Sequence, residues 1–149
     1  MPYTREFVET SEAMLAEHGV LGAVSAAAEL HASLAAVFER VDVLILPSVV
    51  VPGLDAETDP GREVTVEGVG HPLVHHLQIP LTIPFNLASR SPVFAVPTGA
   101  FAEGMPISVQ VAGPPYAEQL TAALAGAVER GAGLYADAAT RPTLTHGLV

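Results

Sequence analysis

Seven serines, at positions 11, 25, 33, 48, 89, 91 and 108, and six histidines are the side chains here that could serve as nucleophile and base near neutral pH. Cysteine is absent, which removes thiolate nucleophiles, disulfides and thiolate metal sites together. All six basic residues are arginine, so a lysine base, a Schiff base and a phosphate-loop lysine are excluded. A Ser-His-Asp hydrolase places its serine on a sharp glycine-flanked turn, and none of the seven serines lies in a G-x-S-x-G string. Triads are recognised by geometry, so this weakens an independent hydrolase without closing the case.

His71, His75 and His76 sit close together. With Pro72 at a helix start, His71 and His75 could share a face as metal ligands, but no acid follows His71 in the HExxH manner, and satisfied or surface histidines explain the cluster better. No metal and no cofactor is expected. The string Gly131-Ala-Gly-Leu-Tyr-Ala136 fits G-x-G-x-x-A, yet it follows a helix instead of a strand, so helix-stop glycines are the simpler reading. Arg90 is the lone formal charge between Gly68 and Ala102. It is either half of a structural ion pair or a clamp for a substrate carboxylate. Asn86, after Pro84 and Phe85, either holds a turn or points its amide into a pocket.

With 149 residues, 50% apolar and 15% charged, the chain is one domain's worth and too apolar for disorder. Its formal charge of −10 comes with no basic patch to track phosphates, so nucleic acid is not an expected partner. Acids occupy the N-terminus where a signal peptide has a basic start and an apolar run. The apolar stretches around 41–54 and 80–102 are cut by Asp42 and by several prolines, which a membrane span does not accept. A cytoplasmic protein without membrane contact is expected.

The elements that would carry these residues are legible in part. Thr4 is a candidate N-cap of a helix with Phe7, Met14, Leu15 and His18 on one face and Gly19 as its stop. A second helix is expected over Leu21 to Arg40. Val41 to Leu46, apolar on both faces and ended by Pro47, reads as a strand buried inside a sheet. Residues 52–71, with Gly and Pro among acids, read as a surface loop in which Val64 and Val66 could pair as a small hairpin. From Gly68 to Ala102 five prolines forbid one long helix, and the near absence of charge places the segment in a protein interior. Pro92 to Pro97 and Pro106 to Gly113 read as strands, joined as a hairpin through Gly99 and Glu103-Gly104. After Pro114-Pro115, a last helix carries Glu118 in its first turn, Leu120, Leu124, Ala127 and Val128 on its face, and Gly131 as stop. Residues 132–149 read as an extended tail. The fold class is α/β, with too few strands to cover one another.

The order of the strings matters more than any one of them. Phe38 to Pro47, Leu81-Thr-Ile-Pro-Phe-Asn-Leu-Ala-Ser-Arg-Ser-Pro92, Val93-Phe-Ala-Val-Pro-Thr-Gly99 and Gly104-Met-Pro-Ile-Ser-Val-Gln-Val-Ala-Gly113, followed by a helix, resemble the C-terminal part of amidase signature enzymes. The resemblance covers about Ala26 to Gly131, with the first helix continuing the same region, and implies a partial mixed sheet flanked by helices in a single partial domain taken as 1–149. The family cleaves or transfers amide acyl groups with a serine nucleophile, a second serine in a cis peptide and a lysine base. No Gly-Gly-Ser-Ser-Gly run and no lysine is present here, so no catalytic residue carries over. The resemblance leaves a supporting role, with Phe85, Asn86, Arg90 and His75 bordering the pocket of a small-molecule amide. Ile79 stands where the branch that amidates transfer RNA usually has an aspartate, and Ser89-Arg90-Ser91-Pro92 is closer to small-molecule amidases. The resemblance also implies a partner, either the missing N-terminal amidase half, a complementary chain, or a second copy. A stand-alone, non-catalytic binding module is the alternative. The isolated chain is expected to self-associate or dissolve poorly; a monodisperse monomer in light scattering, with one sharp unfolding transition, would count against a missing half.

Overall fold

A computed structural model describes residues 2–51, 63–72, 79–101 and 104–134. Helix α1 runs Pro2–Phe38 and breaks at Gly19, whose φ of 66° and ψ of 173° fit no helix. Glycine reaches that conformation without the steric cost a Cβ imposes. The expected stop at Gly19 is therefore a break between two helical runs, and the first run begins at Pro2, ahead of Thr4. A turn at Glu39 and Arg40, closed by bonds to Ala35 and Val37, leads to strand β1, Leu44–Pro47.

Three strands form the main sheet: β1, β4 at Val93–Ala100 and β5 at Pro106–Ala112, in the order β1-β5-β4. Both pairings are antiparallel, with Leu46 opposite Gln110 and Ala95 opposite Gln110. The hairpin expected between β4 and β5 is present. Gly99 is not in its turn but within β4, where the register shifts between Pro97 and Gly99. The turn is closed at Phe101, Gly104 and Met105, and Gly104 has a φ of 81°.

The expected interior strand at 41–46 is instead an edge strand of this sheet, and Ile45 is 54% exposed. A strand apolar on both faces needs cover on both, and the described residues supply it incompletely. A two-stranded hairpin forms separately from β2, Glu63–Val66, and β3, Val69–Pro72. Its turn residues Glu67 and Gly68 have φ of 51° and 81°, the left-handed pair that a two-residue hairpin loop requires. Residues 52–62 and the tail beyond Leu134 lie outside the described residues.

A six-residue helix, α2 at Ile83–Ala88, has Pro84 in its first turn. It touches α1. Helix α3, Glu118–Ala132, packs on β4 and β5. Its stop is Gly133, two residues later than expected: Gly133 is left-handed and its N–H bonds to the Glu129 carbonyl. Thr121 and Ala125 form the buried face of α3, whereas Leu120 and Ala127 are exposed. Val96, Val111 and Ala125 make the core, with Val43, Val109, Leu124 and Val128 packed against it.

This core is small for the chain. Phe7, Met14, Leu15, Val20, Leu21 and Val24 on α1 are all exposed. Phe7–Phe38 is long and apolar enough to cross a membrane by length and composition, which the readings of 41–54 and 80–102 did not anticipate. The alanine-rich run after Gly19 holds a single formal charge, Glu29.

Gly113 ends β5 where it crosses α3, and a Cβ there would collide with the Thr121 side chain. Thr121 is fully buried and its hydroxyl donates to the Ala117 carbonyl at 2.7 Å. Gly113→Ala should therefore cost about 1–3 kcal/mol, read as a lower urea midpoint at unchanged slope. Adding Thr121→Ala should recover part of the loss, and strictly additive losses would show that the two residues do not meet.

Candidate functional site

The face of β5 opposite α3 carries the polar side chains Ser108 and Gln110. Because side chains alternate along a strand, Val109 and Val111 enter the core while Ser108 and Gln110 turn the other way. The Ser108 hydroxyl donates to the Ser48 hydroxyl at 3.0 Å, just past the end of β1. Gln110 is fully buried, and its Nε2 donates to the Pro47 carbonyl at 3.1 Å and the Leu81 carbonyl at 2.9 Å. Its Oε1 is buried without a hydrogen-bond partner.

These contacts hold the chain that leads into α2. The Leu81 N–H donates to the Ser48 carbonyl and the Val50 N–H to the Ile79 carbonyl, around a bridge between Val49 and Pro80. Immediately afterwards, the Thr82 carbonyl accepts from the N–H groups of Phe85 and Asn86. Pro84 suits the first turn, where its missing N–H costs nothing. At the other end Ser89 is left-handed, with φ of 42°, and its N–H donates to the Phe85 carbonyl.

Of the residues expected to border a pocket, the structure brings Phe85, Asn86 and Arg90 onto α2 and its exit. Phe85 is buried and anchors the helix, whereas Asn86 and Arg90 are exposed. Among the described residues neither Asn86 nor Arg90 has a side-chain hydrogen bond or ion pair. The expectation of a wholly interior segment is corrected there: α2 turns one side inward through Phe85 and Ala88 and leaves Leu87 52% exposed. His71 is exposed on β3, and His75 and His76 lie outside the described residues. No group of three or more His, Asp or Glu among the described residues could hold a metal ion.

Beside this assembly, an open groove of about 330 Å³ is lined by Ile45, Pro47, Val49, Thr98, Phe101 and Ser108, among others. It is mostly apolar and offers two hydroxyls. Among the described residues no histidine or carboxylate is bonded to the paired serines. What the arrangement can do is fix a polypeptide surface beside a pocket. Sequence reading missed α2, although a threonine followed by Pro84 is a helix-start signal. It also passed over Gln110, whose signal was a long polar side chain on an otherwise apolar strand.

The family model described as Amidase matches residues 3–121, and this chain belongs to the amidase family. The likeness extends to particular members. The chain is 34% identical over 85 residues to a glutamyl-tRNA(Gln) amidotransferase polypeptide of Beijerinckia indica, covering 54% of this chain and 17% of that protein. It is 33% identical over 94 residues to a fatty acid amide hydrolase of Medicago truncatula, covering 63% of this chain and 15% of that one. A solved structure described as "An unexpected vestigial protein complex reveals the evolutionary origins of an s-triazine catabolic enzyme" contains a chain that superposes with a TM-score of 0.59 at 29% identity. That match covers 77% of this chain and 24% of the other. The chain thus spans less than a fifth of the length of these two curated relatives and about a quarter of the solved one. Its α/β architecture is that of part of the amidase fold.

Ser89 holds a conformation that costs a residue with a Cβ about 1–2 kcal/mol. Ser89→Gly is expected to stabilise the exit of α2 by up to about 1 kcal/mol, and Ser89→Val to destabilise it, as measured by thermal unfolding. Equal midpoints for the two variants would mean that Ser89 is not left-handed.

Proposed function

We propose that this chain is the C-terminal segment of an amidase signature enzyme and supplies the scaffold and one border of its amide-binding pocket. The carrying observation is the family match over 3–121 in a sequence without lysine. A serine hydroxyl needs a base to attack an amide at neutral pH, and positioning groups cannot replace it. The chain alone is then inert, and hydrolysis of a carbon–nitrogen amide bond requires the catalytic portion, in the same polypeptide or in a complementary chain.

Phe85, Asn86, Arg90 and His75 are the border residues of this reading, with Phe85 as anchor and Asn86 and Arg90 free to meet substrate or the catalytic portion. Ile79 and the Ser89 to Pro92 string favour a small-molecule amide over transfer RNA. A second reading, a non-catalytic module that binds a partner chain, draws on the solved relative described as part of a vestigial complex.

The test is expression of the chain alone and together with the adjacent upstream coding sequence, each assayed on simple aliphatic and aromatic amides. The chain alone should show no turnover above buffer, and the combination should show turnover that is lost when a serine of the upstream portion is changed. Turnover by the chain alone that vanishes on changing Ser48 or Ser108 would overturn the proposal. A stable but inactive combination would favour the binding module.

A further inference from the structure

Gln110 is fully buried yet bonds through one nitrogen to two carbonyls that lie 63 and 29 residues away in sequence. Both acceptors are backbone carbonyls, Pro47 at the end of β1 and Leu81 just ahead of α2. The two bonds offset the cost of burying the Gln110 amide. Two carbonyls facing Nε2 fix the direction of the carboxamide, and the consequence is visible at its other end, where Oε1 has no partner among the described residues. For packing alone, a methionine would fill the space without that orphaned acceptor. The carboxamide therefore holds chain segments in place at a cost in unpaired polarity.

We infer that Gln110 is the positioning residue of the pocket border: its carboxamide sets where Leu81 lies, and through the Thr82 carbonyl it sets Phe85 and Asn86. This rests on the amidase reading for what the border serves, while the clamp itself rests on the geometry. Leu81 is adjacent to Thr82, whose carbonyl takes both the Phe85 and Asn86 N–H groups, so a shift at Leu81 moves the start of α2 directly. Strand β5 is paired on both edges, which makes it a rigid base for such a clamp. Gln110 touches no reacting atom in this assignment and acts through the backbone of 81–86.

The test is residue-resolved amide hydrogen exchange on the wild-type chain, Gln110→Met and Gln110→Asn. The asparagine variant keeps the carboxamide but is one methylene too short to reach both carbonyls. It keeps the test decisive if the methionine variant does not fold. In both variants the amides of Leu81, Phe85, Asn86 and Ser89 should exchange about tenfold faster or more, while those of α3 keep their protection. Acceleration spread equally over α3 would make Gln110 a core filler, and unchanged exchange at 81–89 would show that backbone bonds suffice; either result overturns the inference. In the combined enzyme, Gln110→Asn should raise KM for an amide several-fold more than it lowers kcat, and a loss confined to kcat, or no loss in either, counts against positioning. If the wild-type combination turns over no amide, the amidase reading fails, and the exchange experiment still decides the clamp.

Discussion

The pairing of β5 along both edges is the constraint from which the rest of the structure follows. Of the three strands in the main sheet it is the central one, and its residues Gln110, Val111 and Ala112 have no exposed surface. Because its side chains alternate, one face gives Val109 and Val111 to the α3 core and the other gives Ser108 and Gln110 to the polar clamp. Core and site placement therefore share a backbone. Loosening the ladder would lose both, which is why Gly113, at the end of that ladder and against Thr121, has no room for a side chain.

The exposed apolar surface of α1 has two physical readings, a lipid face or a face awaiting another layer of protein. Length and composition alone permit a membrane span. Gly19 breaks the helix, however, and Glu29 falls near the middle of the run that follows, where a charge in a bilayer costs about 3 kcal/mol. The family match begins at residue 3 and so takes in both helical runs. Phe7, Met14, Leu15, Val20, Leu21 and Val24 are the exposed apolar side chains that a further protein layer would cover. A groove of about 660 Å³ at the break is lined by Met14, Leu15, His18, Gly22 and Ala26 among others.

How much of this was legible in the sequence differs from element to element for physical reasons. The β4–β5 hairpin and α3 were readable because alternation and helix-end signals are local properties of the chain. The edge position of β1 was not, since Val41 to Leu46 reads the same whether its outer partner is present or belongs elsewhere. Gly133 displaced Gly131 as the helix stop because either glycine can adopt the left-handed conformation, and the choice is made by where α3 leaves the sheet. The candidate border residues were found by resemblance. Their division into an inward Phe85 and outward Asn86 and Arg90 depends on the phase of a six-residue helix, which periodicity is too short to fix. Gln110 lay in plain view within a recognised strand, but its significance depends on Pro47 and Leu81 meeting it in space.

The chemistry of the family can be divided between parts in a way that this chain makes concrete. Activating a hydroxyl requires a base in hydrogen-bond contact, and binding an amide requires only shape and donors held in place. Among the described residues Ser48 and Ser108 bond to each other, and Gln110 bonds its amide to two backbone carbonyls. On the proposed reading such groups act through position, because moving Leu81 would move Phe85 and Asn86 with it through the Thr82 carbonyl. On the same proposed reading, such a segment contributes through the geometry it imposes on a catalytic portion. Its effect on a reaction would be felt in the fit of the substrate before it is felt in the bond-breaking step.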